Sequence, residues 1–131
     1  MRVLVVDDEE MLRLTTQRIL EARGNKCDVA ASAAEASQML RERAYDLVLL
    51  DMSMPERSGL DFLPEIRQQH PNVAVVIMTA VQDRARATAA MELGADGFLT
   101  KPVPANELLT AAQAAVDGAI RRGERRQRPH S

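Results

Sequence analysis

Val3-Leu4-Val5-Val6-Asp7-Asp8 and Leu47-Val48-Leu49-Leu50-Asp51 are the two stretches that decide the architecture, each an unbroken apolar run ended by acid. Short runs without polar alternation read as strands covered on both faces, the habit of a parallel sheet sheathed by helices. If the two strands are parallel neighbours, three carboxylates far apart in sequence meet at one edge, the edge where open α/β folds place their ligands. At ~4 Å spacing and an effective dielectric of ~20, each like-charge pair there costs roughly 4 kcal/mol. A cation must therefore sit among them.

Working outward, Arg2 to Val6 is the first strand, and Glu10 to Arg23 carries Met11, Leu14, Thr15, Arg18, Ile19 and Ala22 at helical spacing before Gly24 stops it. Lys26 to Ala30 is a second strand. Ser32 can cap a helix over 33–43, with Glu35 at the capping-box distance. After the strand ending at Asp51 comes an irregular turn, Met52-Ser53-Met54-Pro55-Glu56-Arg57-Ser58-Gly59, then a helix from Leu60 to Gln69. Val73 to Met78 is the most apolar strand and ends at Thr79. Asp83 to Leu93 is an alanine-rich helix closed by Gly94, Gly97 to Thr100 a short fifth strand, and a last helix runs from Pro104 to about Ile120. Five strands alternating with five helices predict a doubly wound, flavodoxin-like α/β sandwich with a parallel sheet in the order 2-1-3-4-5. No internal repeat or low-complexity segment competes with this.

Bulk properties narrow the function. A chain of 131 residues is one domain, able to remove roughly two-thirds of its unfolded surface from water without disulfide or structural metal. There is no tryptophan and little phenylalanine or tyrosine, which disfavours base stacking on nucleic acid. The single cysteine, Cys27, cannot form an internal disulfide and reads as a small buried strand residue in a reducing compartment. No apolar run approaches the ~18 residues of a membrane span, and the N-terminus enters a strand directly; both predict a cytoplasmic protein. After Ile120, five arginines against one glutamate give +4, so the overall −2 leaves −6 on residues 1–120. An acidic body argues against direct DNA binding. The basic residues 121–131 read as a solvated tail or the start of a linker.

In the expected strand order, the carboxyl edge of the sheet collects Asp7 and Asp8, Asp51, Thr79 and Lys101. Taken singly, an acid after a strand is an ordinary cap, a threonine there bonds to backbone, and a lysine is solvated. Taken together, the acids suit a hard divalent ion, and a hydroxyl and an ammonium suit phosphate oxygens. Val5-Val6-Asp7-Asp8-Glu9, Asp51-Met52-Ser53-Met54-Pro55 with Gly59, Thr79-Ala80, and Gly94-Ala95-Asp96-Gly97-Phe98-Leu99-Thr100-Lys101-Pro102 resemble the CheY-like receiver domain of two-component response regulators, over residues 1 to about 120.

The resemblance implies that Asp51 is the phosphoacceptor, charged by a sensor histidine kinase or phosphotransfer protein in a phosphorelay. It implies a Mg²⁺ held directly by Asp8, through water by Asp7, by Asp51, and by the backbone carbonyl of Ser53. Lys101 and Thr79 would meet the phosphoryl oxygens, and Ala80 would leave the donor room to approach. A cis bond before Pro102 and a switch role for Phe98 follow from the same likeness. The alternative for Phe98 is an ordinary core phenylalanine. The face of the fourth helix, fifth strand and fifth helix would then be remodelled, to act on an output domain, a partner protein or a second copy. Val103 departs from the usual phenylalanine, which alters packing under the last helix rather than the chemistry. Ser53 and Val81 flank the route of the hydrolytic water without a charged group to orient it, which points to slow loss of phosphate.

Two other classes compete. Haloacid-dehalogenase-type phosphatases also pair a strand-end aspartate nucleophile with Mg²⁺, but need a second aspartate two residues on, where Ser53 stands. A pseudo-receiver, binding partners without phosphorylation, would not need the full acceptor, metal and phosphate set.

Overall fold

The computed structural model describes residues 1–80 and 83–127. In them the elements run β1 (Arg2–Val6), α1 (Glu10–Glu21), β2 (Lys26–Ala30), α2 (Ala33–Glu42), β3 (Leu47–Asp51), α3 (Gly59–Gln69), β4 (Ala74–Thr79), α4 (Arg84–Glu92), β5 (Gly97–Thr100) and α5 (Ala105–Gln127). All four strand pairings are parallel and the order is β2-β1-β3-β4-β5, as the apolar runs and crossover rule require.

Alternation along the strands divides the core in two. Leu4, Val6, Val48, Leu50, Val75 and Ile77 face one layer with Ala36, Leu40, Phe62, Leu63, Ile66, Ala87 and Ala90 from α2, α3 and α4. Val3, Val5, Leu47, Leu49, Val76 and Met78 face the other, with Leu20 of α1 and Leu108, Ala112, Ala115 and Ala119 of α5. Both faces of β1, β3 and β4 are therefore dry, and polar groups concentrate at the strand ends. Cys27 is buried, and burial first, then Glu21 and Asp28, pushes its thiol up to about 12. It is an unreactive core residue.

Local chemistry sets the helix starts. Ser32 Oγ accepts from the Glu35 N–H at 3.1 Å, and the Glu35 carboxylate answers by accepting from the Ala31 N–H at 3.3 Å. Ser58 caps α3 likewise, accepting from the Asp61 N–H at 3.1 Å. One expected end shifts. The last helix does not stop near Ile120; it continues to Gln127, so residues 121–127 are helical rather than a loose tail. Arg128 to Ser131 lie outside the described residues, as does Val81.

Candidate functional site

The register places the acids where the strand order requires. Val6 pairs with Leu50 across β1 and β3, so Asp7, one step further, comes beside Asp51. Asp51 pairs with Met78, which sets Thr79 at the next level of β4, and Thr79 pairs with Thr100, just before Lys101. One oxygen from each of Asp7, Asp8 and Asp51 can be chosen so that all three lie within 4.8 Å of one another.

Burial differs sharply within this group. Asp7 is 1% exposed and Asp51 4%, whereas Asp8 is open to solvent. Asp7 spends one carboxylate oxygen on the Glu9 N–H at 2.9 Å, which closes the turn leading into α1; α1 itself has no side-chain cap. Its other oxygen meets Lys101 Nζ at 3.2 Å, and the same ammonium stands 3.2 Å from Asp51 Oδ1. Lys101 is thus a cation lodged between two of the carboxylates. Asp51 Oδ1 also accepts from the Ser53 N–H at 3.2 Å. Among the described residues no hydrogen bond reaches Asp51 Oδ2.

The electrostatics follow from that arrangement. Burial raises the Asp51 carboxyl to about 6; the Ser53 N–H pulls it down, Asp7 pushes it up, and Lys101 pulls it down again. For Lys101 burial acts first, disfavouring the ammonium. The charges of Asp51 and Asp7 outweigh it, and the ammonium is held above its usual range. Lys101 alone does not bring the Asp51 carboxyl back to its ordinary range, and a divalent ion held among these oxygens would favour its ionised form further. The donors are all oxygen, as a hard ion prefers.

The Thr79 side chain is buried and donates to the Ala80 carbonyl at 3.3 Å, with Met52 Sδ 3.8 Å away. It lies beside Asp51 without being hydrogen-bonded to it. The Lys101–Pro102 peptide is cis. Phe98, on the edge strand β5, is 39% exposed, so it is not an ordinary core phenylalanine. Val103 packs part-buried against the α1 and α5 layer and lines a cavity of about 210 Å³ together with Asp7, Leu12, Met78, Lys101 and Leu108.

Residues 3–113 match the family described as the response regulator receiver domain, which covers most of the chain. The chain belongs to the response regulator receiver domain family. Among its relatives is the DNA-binding transcriptional regulator NtrC of Escherichia coli (strain K12), 36% identical over 98% of this chain and 27% of that protein. Another is the transcriptional regulatory protein DltR of Streptococcus agalactiae serotype III, 36% identical over 83% of this chain and 49% of that protein. This chain therefore spans only a quarter to a half of the curated relatives it resembles. A solved response regulator receiver domain protein from Clostridium thermocellum superposes with a TM-score of 0.83 at 37% identity, over 94% of this chain and 96% of that one. NtrX from Brucella abortus, solved in complex with ADP, gives a TM-score of 0.91 at 32% identity over 99% of this chain and 30% of its own.

Two features of this receiver were not visible in sequence. In sequence Gly59 reads as a turn residue and part of the receiver motif; in the structure a Cβ built on it would stand 2.4 Å from the Asp51 carbonyl oxygen. Gly59 N–H also donates to the Met52 carbonyl at 3.0 Å, closing the loop after Asp51 on itself. The glycine lets the loop return against the Asp51 backbone. Arg13 Nη1 donates to the Asp7 carbonyl at 2.8 Å, bracing the other side of the site from α1. An arginine one turn into a helix carries no sequence signal for such a role.

Proposed function

We propose that this receiver is a switch operated by phosphorylation of Asp51. The observation that carries the reading is Lys101 Nζ set 3.2 Å from both Asp7 and Asp51, at a sheet edge where Asp8 remains open. Asp51 Oδ2 attacks the phosphorus of a phosphohistidine on a sensor kinase or phosphotransfer protein. The P–N bond breaks, the imidazole leaves with its electron pair, and an acyl phosphate remains on the aspartate. Phosphoryl transfer asks the protein for alignment and charge stabilisation more than for acid–base chemistry. Lys101 supplies a fixed positive charge for the incoming oxygens. The Thr79 hydroxyl turns from the Ala80 carbonyl to donate to them, and small Ala80 leaves the approach open.

Asp7, Asp8 and Asp51, with the Ser53 carbonyl, would hold Mg²⁺, which supplies charge neutralisation at the transferred group. The donor set fits such an ion: three carboxylates in reach of one another, two dry and one open to solvent. Ser53 in place of a second aspartate leaves no acid–base partner for a haloacid-dehalogenase-type hydrolysis. A pseudo-receiver reading gives no reason for a buried acceptor paired to a lysine.

Phosphorylation adds roughly −1.5 to −2 charges at Asp51. Lys101 and Thr79 draw towards it, and exposed Phe98 turns inward, changing the face of α4, β5 and α5. That face would act on an output domain, a partner protein or a second copy of this chain; the acidic body favours a protein over DNA as its direct contact. No described helix is long and apolar enough to cross a membrane, and we place the protein in the cytoplasm. Incubation with a small acyl-phosphate donor and Mg²⁺ should add one labile phosphoryl group, which Asp51→Asn abolishes. Undiminished labelling of that variant would remove the assignment.

A further inference from the structure

Beyond Ile120 the arginines and Glu124 suit a helix but Gly123 opposes it, and no apolar side chain is there to pack the helix down. Arg121, Arg122, Gly123, Glu124 and Arg125 offer no apolar stripe, and Gly123 follows Gly118 within two turns. A helix end of this composition frays in water unless tertiary contacts hold it. The contact is specific. Arg122 Nη1 pairs with Asp96 Oδ1, and Arg122 Nη2 stands 3.5 Å from Asp96 Oδ2.

Asp96 is a firm anchor. Its side chain is only 8% exposed, its Oδ2 accepts from the Val75 N–H at 2.8 Å, and its own N–H donates to the Val75 carbonyl at 2.8 Å. It is therefore tied to the start of β4 by both main chain and side chain. Arg67 of α3 adds a second cation, with Nη1 3.8 Å from Asp96 Oδ2 while its Nη2 donates to the Val73 carbonyl. A fork-shaped guanidinium on a largely buried carboxylate is the geometry in which an ion pair carries weight, unlike an exposed pair. Alongside, Gly123 brings the helix close to the α3–β4 connection, where a Cβ would stand 3.7 Å from Asn72 Oδ1.

Asp96 immediately precedes β5, and the same short strand carries Phe98 and ends next to Lys101. One rigid segment thus joins the phosphoryl site at one edge of the sheet to the α5 anchor at the other. We propose that Arg122 and Asp96 form a latch that fixes the C-terminal end of α5 against the start of β5, so that displacement of β5 is passed to residues 121–125 of that helix. The second half of this statement rests on the switch reading above; the latch itself does not.

Amide hydrogen exchange on the full 131-residue chain, without donor, tests the latch. Arg122→Gln should lower protection at residues 121–125 at least tenfold while leaving residues 97–100 within about twofold of wild type. Arg122→Lys, which keeps charge but loses the fork, should fall between them. Protection at 121–125 equal in wild type and Arg122→Gln would overturn the latch, because packing alone would then hold the helix. Beryllofluoride with Mg²⁺ tests transmission: amide shifts of residues 97–101 should move alike in wild type and Arg122→Gln, with those of 119–125 following only in wild type. Movement of 119–125 in both proteins would overturn the coupling. Movement of 97–101 in neither would sink the switch reading instead, with the exchange result still deciding the latch.

Discussion

Lys101 Nζ stands 3.2 Å from Asp51 Oδ1, so the residue expected to receive the phosphoryl group is already paired before any donor arrives. The same ammonium holds Asp7. Removing it leaves two buried carboxylates facing each other, and breaking a buried pair by deleting one partner is strongly destabilising. Lys101→Met should therefore lower unfolding free energy in chelator by about 3 kcal/mol. Saturating Mg²⁺ should restore more stability to the variant than to wild type, because the ion takes over part of the lysine's charge. Denaturant titrations with and without Mg²⁺ measure both. A variant as stable as wild type in chelator would show that the acids are not held ionised by Lys101.

The pH dependence follows from Asp51, whose carboxyl is raised from 3.8 to about 6, chiefly by burial. A raised carboxyl is protonated in the folded state while the unfolded chain has already ionised. Its effect is absent below about pH 4, and stability is then lost as pH rises towards and through about 6. Asp51→Asn removes this slope. In chelator at pH 7 it should be more stable than wild type by about 2 to 3 kcal/mol, and the two should converge near pH 4. Parallel stability curves across that range would mean that Asp51 titrates normally.

Gly59 tests the packing behind the acceptor. Alanine there would place its Cβ 2.4 Å from the Asp51 carbonyl oxygen, a backbone atom with nowhere to go. Overpacking of this kind costs about 1 to 3 kcal/mol, and the displaced loop carries Ser53, so Mg²⁺ affinity should fall as well. Gly118→Ala is the control: it sits inside α5 with its nearest foreign atom 3.9 Å away, and should stabilise by up to about 1 kcal/mol. Thermal melts and Mg²⁺ titrations distinguish the two effects. Equal affinity in Gly59→Ala would show that the loop relaxes without moving the Ser53 carbonyl proposed to face the metal.

How much could be read in advance depended on the range of the forces involved. The apolar runs of β1 and β3 are local and end at acids, and that of β4 ends at Thr79, so strand order and the meeting of Asp7, Asp51 and Lys101 are legible in the sequence. The double use of Asp7 is not: one oxygen accepts from Glu9 N–H in the turn before α1, the other from Lys101. The helical end of α5 past Ile120 is not legible, because arginine and glycine there continue no apolar stripe. What holds that end is a partner, Asp96, 26 positions away, which no periodicity reveals. Exposure of Phe98 likewise depends on β5 being an edge strand with little covering it.

Transmission of the signal gives the last prediction. Thr79 donates to the Ala80 carbonyl, Phe98 is 39% exposed, and Lys101 pairs with Asp7 and Asp51. On the proposed switch reading, each is the resting half of a movement that a phosphoryl group would complete. Phosphate charge can shift the face of α4, β5 and α5 only by binding one arrangement more tightly than the other, and Lys101 carries much of that difference. Lys101→Ala should still accept phosphate at Asp51, more slowly, yet leave the face largely unswitched. With Mg²⁺ and beryllofluoride, amide shifts from Met91 to Leu109 should change in wild type and much less in the variant. Equal changes at matched occupancy would show that the charge reaches Phe98 by a route that bypasses Lys101, leaving Thr79 to carry the movement alone.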